Sequence, residues 1–132
     1  MLKKRHKILV VDDERAIAET LARILEDRGY ETATAYSGEA AVQMACSFRP
    51  DCLVSDVLMG AMNGIDAAIE VSLALPCCKV LLISGNAGYG DLLEEARAKG
   101  FDFELLLKPV PPAELLLAIA RMLLHSADQS AG

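Results

Sequence analysis

The chain has 132 residues, of which 53% are hydrophobic and 5% aromatic, with no Trp. That length suffices for one domain with a core that needs no disulfide or structural metal, built from Leu, Ile, Val, Ala and Met. The net charge is -6, and because four of the 13 basic residues (Lys3, Lys4, Arg5, Lys7) stand at the very start, the remainder is strongly acidic, which argues against direct contact with nucleic acid or an anionic membrane.

Residues 7–12 (KILVVD) form an apolar run without polar alternation, the pattern of a strand covered on both faces. Over residues 14–28, Ile17, Leu21, Ile24 and Leu25 fall on one helical face, and Gly29 supplies the C-terminal cap. Residues 31–35 (ETATA) are β-prone but more polar, as suits an edge strand. Ser37 can cap a second helix that runs to about residue 47 and is ended by Arg49-Pro50. A third strand covers 52–56, and Asn63 can cap a helix carrying Ile65, Ala68, Ile69 and Leu73 before Pro76. Residues 79–83 read as a fourth strand, followed by a loop, SGNAGYG. A helix from about Asp91 ends at Lys99-Gly100, 104–107 form a fifth strand, and Pro111-Pro112 opens a last helix with Leu115, Leu116, Ile119 and Leu123. The polar tail, 125–132, is expected to fray.

Five strands alternating with five helices predict an α/β fold with a parallel sheet and right-handed crossovers. The whole chain, 1–132, is expected to be one domain with its core in 7–124. In such a sheet all strand C-termini share one edge, where ligands bind. Strand one leads into Asp12, Asp13 and Glu14, strand three into Asp56, strand four into Ser84 and strand five into Lys108. If strands one and three are neighbours, Asp13 and Asp56 stand roughly 5 Å apart. Carboxylates so close repel unless a cation lies between them, and hard oxygen ligands select Mg²⁺ or a similar ion. Lys108 adds the fixed positive charge that a phosphoryl group needs, and Asp56 is placed to act as a nucleophile forming an aspartyl phosphate.

Each feature has a plainer reading. Asp12-Asp13 alone is commonly a solvated strand end or helix cap, and Ser84 can simply satisfy a turn. The basic head reads as a solvated entry to the first strand. SGNAGYG lacks both GxGxxG and the P-loop Lys, which argues against a nucleotide cradle. Cys46, Cys52, Cys77 and Cys78 lack the CxxC pairs of a zinc site, so Cys52 reads as a small core residue and the protein as one of a reduced, cytoplasmic compartment. His6 and His125 lie outside the predicted elements and are expected in solvent, and Met44, Met59, Met62 and Met122 need no cofactor to explain them. No apolar run has the length of a membrane span or a signal-peptide core.

Taken in order, the acidic pair in ILVVDDE, the aspartate in LVSDVLM, the helix start MNGID, the strand-end hydroxyl in VLLISGNA and the Lys-Pro in LLLKPV make the chain resemble a receiver domain of the two-component response regulators. The resemblance runs from Lys7 to about Leu124 and implies a flavodoxin-like, doubly wound sheet of five parallel strands in the order 2-1-3-4-5. It implies that Asp56 accepts a phosphoryl group from a histidine kinase, a phosphotransfer protein or a small phosphodonor. Asp13, Asp56 and the Leu58 carbonyl would ligate Mg²⁺, with Asp12 acting through water. Lys108 would pair with the phosphoryl oxygens, Ser84 would hydrogen-bond to the group once formed, and Gly85 would leave the acceptor open. The consequence would be a changed surface around the fourth helix, fifth strand and fifth helix, read by a downstream protein.

Two positions depart from the family pattern. Gly60 stands where a Pro is usual, which makes the loop after Asp56 less rigid. Leu105 occupies the position of a switch aromatic, with Phe103 two residues earlier on the same face as a candidate substitute, so coupling from Ser84 to the fifth strand is expected to be weaker or to take another route. Two alternative functions use the same residues: a magnesium-dependent phosphatase or phosphotransferase with Asp56 as transient nucleophile, and a degenerate receiver that binds a partner without being phosphorylated. The first lacks its usual DxDx[TV] motif and cap insertion, and the intact acidic pair, acceptor and Lys argue against the second.

Overall fold

The structure is a computed structural model that describes residues 5–59, 62–85 and 90–131, with side chains up to Leu124. Gly60, residues 86–89 of the SGNAGYG loop, Lys3, Lys4 and the His125 side chain lie outside the described residues.

The order of elements is β1 (Lys7–Val11), α1 (Arg15–Glu26), β2 (Glu31–Ala35), α2 (Gly38–Phe48), β3 (Cys52–Asp56), α3 (Gly64–Ala74), β4 (Lys79–Ser84), α4 (Gly90–Ala98), β5 (Glu104–Leu107) and α5 (Pro112–Ala131). All strand pairs are parallel, in the order β2-β1-β3-β4-β5. This is the flavodoxin-like doubly wound sheet, with the polar β2 at one edge and β5 at the other.

Alternation along the strands separates the core into two layers. Leu9, Val11, Leu53, Val80 and Leu82 face Ala41, Ile65, Ala68, Val71 and Ala96 of α2, α3 and α4. Ile8, Val10, Val54, Leu81 and Ile83 face Ala18, Ala22, Leu25, Leu115 and Ile119 of α1 and α5. Both faces of the central strands are thus covered, which is why β1 and β3 carry no polar alternation. Cys52 and Cys78 are buried, and burial pushes both thiols up, Cys78 to about 12, so they remain neutral core residues.

Local chemistry sets the helix ends. Ser37 Oγ accepts from the Ala40 N–H (3.0 Å) and Asn63 Oδ1 from the Asp66 N–H (2.8 Å), capping α2 and α3 as their residue types predict. Gly29 and Gly100 take positive φ (92° and 98°) after α1 and α4, and Arg49 adopts the left-handed conformation (φ 53°) that stops α2 before Pro50.

Three details differ from expectation. In α1 the fully buried residues are Ala18, Ala22 and Leu25, with Ile17, Leu21 and Ile24 only half-buried, because the helix lies on the sheet along its small residues. Leu73 is exposed: at 100° per residue it has rotated away from the stripe formed by Ile65, Ala68 and Val71. Helix α5 continues to Ala131 instead of giving way to a frayed tail from 125, as no Pro or Gly interrupts it there.

Candidate functional site

The sheet topology brings the strand ends together at one rim. In the β1–β3 register Val11 lies opposite Ser55, so the residues that follow, Asp12 and Asp56, are neighbours. One carboxylate oxygen from each of Asp12, Asp13 and Asp56 can be chosen so that all three lie within 4.8 Å of one another, in keeping with the strand spacing that separates them. Asp12 is buried, Asp13 exposed and Asp56 intermediate.

Asp12 is held from two sides. Its N–H bonds to the Ala35 carbonyl at the end of β2 (3.2 Å), and its Oδ1 accepts from the Glu14 N–H (2.9 Å) ahead of α1. The N-cap of α1 is Glu14, with no side-chain cap, so Asp12 closes a turn ahead of the helix and does not cap it. Burial is the main cause that raises its pKa above the ordinary carboxylate value; the Asp56 and Asp13 charges push the same way, against the Glu14 N–H and the Lys108 ammonium.

Asp56 is fixed through its backbone. Its carbonyl accepts from Ser55 Oγ (3.0 Å), the following Val57 N–H bonds to the Ile83 carbonyl of β4 (3.0 Å), and the Val57 carbonyl takes the Gly64 N–H (2.8 Å) at the start of α3. A Cβ on Gly64 would run into the Asp56 carbonyl oxygen. Glycine there lets α3 begin directly against the acceptor's backbone. Sequence reading assigned MNGID only a helix start; the Asn-Gly pair was the available signal, but the close approach appears only in three dimensions.

Lys108 reaches the same point from the far edge of the sheet. Its Nζ lies 3.2 Å from Asp56 Oδ2, and its N–H bonds to the Ser84 carbonyl (2.8 Å), which ties the residue after β5 to the end of β4. Ser84 is buried at the end of β4, one step past the Asp56–Ile83 register pair. Gly85 is exposed, and a Cβ there would meet only Lys108 Cδ at 3.9 Å, an ordinary contact. Leu58 is 68% exposed, unusual for a leucine so close to a buried strand. Phe103 is buried and Leu105 half-buried in the α2–α3–α4 layer, so the two do share a face.

Three carboxylates against one ammonium leave a surplus of negative charge on oxygen donors, a set that suits a hard divalent cation. The same rim offers Asp56 as an oxygen nucleophile beside a lysine able to neutralise a transferred anion.

Known proteins with this arrangement are numerous. The family model of the response regulator receiver domain matches residues 8–120. The alginate biosynthesis transcriptional regulatory protein AlgB of Pseudomonas aeruginosa is 32% identical over 91% of this chain, which covers 26% of AlgB. Response regulator MprA of Mycobacterium bovis is 31% identical over 95% of the chain, covering 54% of MprA. The chain therefore spans about a quarter to about half the length of these relatives. Among solved structures, a CheY-like receiver domain protein from Methanospirillum hungatei superposes with a TM-score of 0.87 at 25% identity, covering 96% of this chain and 99% of that one. Response regulator TrrA from Thermotoga maritima, solved in complex with Mg²⁺ and BeF, superposes with a TM-score of 0.77 at 30% identity, covering 89% of this chain and 98% of that one. With the family model covering most of the chain and the same five-stranded fold recurring in these structures, the chain belongs to the response regulator receiver domain family, the receiver module of two-component signalling.

Proposed function

We propose that this receiver accepts a phosphoryl group on Asp56, acting as one domain with its core in residues 7–124. The observation that carries the reading is the Lys108 ammonium 3.2 Å from Asp56 Oδ2, beside a carboxylate cluster at the sheet's ligand edge. The donor is the phosphohistidine of a histidine kinase or phosphotransfer protein, or a small acyl phosphate. An Asp56 oxygen forms the new P–O bond as the bond to the donor breaks, a transfer that needs alignment and charge neutralisation above all.

The residues present fit Mg²⁺. Asp12, Asp13 and Asp56 converge with more negative charge than Lys108 offsets, and the buried Asp12 is held with its pKa raised. Asp13, Asp56 and the Leu58 carbonyl would hold the ion, with Asp12 acting through water. When bound, the ion neutralises the carboxylates and the incoming phosphoryl oxygens together. The Mg²⁺–BeF complex of TrrA supports extending this to the present chain.

Lys108 pairs with the phosphoryl oxygens, Gly85 leaves the approach open, and Ser84 turns its hydroxyl to the new group. Phe103, just before β5, and Leu105 within it stand in for the usual switch aromatic and pass the change, more weakly than that residue would, to the surface of α4, β5 and α5, where a downstream protein reads it. The role is a cytoplasmic switch that contacts proteins and not nucleic acid. No helix among the described residues is long and apolar enough to cross a membrane.

Intact-mass measurement after incubation with acetyl phosphate and Mg²⁺ tests the assignment. One labile phosphoryl adduct is expected, absent in Asp56→Asn and when EDTA is present. No adduct with any donor would favour a degenerate receiver, and rapid turnover of varied phosphate esters would favour the phosphatase.

A further inference from the structure

The turn from β2 to α2 touches both sides of the carboxylate rim. At its start the Ala35 carbonyl takes the Asp12 N–H (3.2 Å), which bonds the turn to the acidic pair. At its end Gly38 opens α2, in a place fixed by the Ser37 cap and by the Ala41 N–H bonded to the Ser37 carbonyl (3.0 Å). Gly38 is buried and lies against the half-buried Met62, in the loop between Asp56 and α3. A Cβ on Gly38 would stand 2.9 Å from Met62 Cγ and 3.0 Å from both Met62 Cβ and the Met62 carbonyl oxygen. Among the described glycines only Gly29 and Gly100 have positive φ, so Gly38 is required by space and not by backbone conformation.

The loop that Gly38 touches carries the Leu58 carbonyl. Val57 and Met59, on either side of Leu58, are sunk in the core, at 0% and 2% exposure. The near end of the loop is bonded through Val57 to Ile83 and Gly64. The far end lacks the stiffening of a Pro at position 60. Met62, two residues beyond that position, is seated against α2. Residues 35–38 thus form a brace that meets Asp12 at one end and the Leu58 loop at the other.

We propose that Gly38 and Met62 are positioning residues for the divalent-ion site: the first turn of α2, seated on Met62, holds the loop that bears the Leu58 carbonyl, in place of the missing Pro. The inference rests on the reading of Leu58 as a Mg²⁺ ligand. A methyl group at position 38 must displace Met62, its backbone oxygen included, and the loop with it. Asp13 and Asp56 stay where β1 and β3 put them, so the ligand set loses its match to the ion.

Titration of the full chain with Mg²⁺, followed by its backbone amide and carbonyl resonances, tests this with no phosphodonor present. Gly38→Ala should weaken Mg²⁺ binding about tenfold or more, as when a residue supporting a metal ligand is lost, and should shrink the Mg²⁺-induced shift of the Leu58 carbonyl carbon. Met62→Ala gives up the Cγ contact with α2 and should weaken binding by a smaller factor. In the double variant the shorter side chain makes room for the new methyl group, so the two losses should not add. Asp51→Ala, which removes the acceptor of the Lys7 N–H at the opposite end of the sheet, supplies a destabilised chain whose Mg²⁺ affinity should stay at the wild-type value. Wild-type affinity in Gly38→Ala overturns the proposal, as do losses that add in full or an equal loss in Asp51→Ala. A wild-type chain that takes up no Mg²⁺ overturns the metal reading itself, and the positioning role with it.

Discussion

Strand β3 has an aspartate near each end, and the two are held in opposite ways. Asp51, just before the strand, is held by hydrogen bonds from its side chain and its backbone. Its Oδ2 accepts from the Lys7 N–H (2.7 Å), its own N–H bonds to the Lys7 carbonyl (2.8 Å), its carbonyl takes the Lys79 N–H (2.9 Å), and His6 Nδ1 stands 3.8 Å from its side chain. Asp51 therefore ties the first residues of β1, β3 and β4 together. Asp56, at the other end, faces two more carboxylates and a single lysine. A carboxylate that accepts a backbone N–H is satisfied by the fold, whereas one crowded by its own kind repels its neighbours until positive charge offsets them.

The contrast can be tested from the functional end towards the structural one. Lys108→Ala should slow phosphoryl uptake from acetyl phosphate by about 10²-fold or more, as expected when one donor to a developing anion is lost. The time course of adduct formation by intact mass checks this, with the fold retained by circular dichroism. Gly64→Ala forces a methyl group against the Asp56 carbonyl and should destabilise the protein by about 2–3 kcal/mol in urea unfolding, with slower phosphoryl uptake as the acceptor shifts.

At the opposite end, Asp51→Ala removes the partner of the Lys7 N–H and should lower stability by about 1–2 kcal/mol, while phosphoryl uptake stays at the wild-type rate. If uptake fell as well, the two ends would not be independent. The smallest effect concerns Asp12. Its raised pKa means that its charging opposes folding as pH climbs past the ordinary carboxylate range. Asp12→Asn should therefore give a slightly higher Tm at pH 7 in EDTA, an advantage that fades towards about pH 4 and below, where the wild-type carboxyl is itself protonated. A thermal-denaturation series across that range decides the sign.

Much of this was legible before any coordinates. Unbroken apolar runs disclosed β1, β3 and β4 because both sheet faces are covered, and Ser37 and Asn63 announced their helices because capping is local chemistry. The rim followed from topology: in a parallel sheet, Asp12, Asp13, Asp56 and Lys108 reach one edge through their positions after strands. Other features depend on how elements meet. The spatial need for Gly64 exists only because α3 begins against the end of β3, and the work of Asp51 arises from contacts 44 residues apart in sequence. Leu73 was misplaced because an apolar residue on a helix need not lie on its buried stripe. Leu105 was placed on the same side as Phe103 by strand alternation, which holds wherever a strand stays regular.

The partners in the Asp56–Lys108 contact differ in mechanical support. Asp56 closes β3, which has strands bonded on both sides, while Lys108 follows the four-residue β5, bonded to β4 alone. A load applied between the two groups divides unequally, the central strand acting as the anvil and the edge strand as the spring. Any ligand that draws on the ammonium therefore displaces β5 first, together with the groove where Glu104, Leu105 and Phe103 face Leu93 and Arg97 of α4.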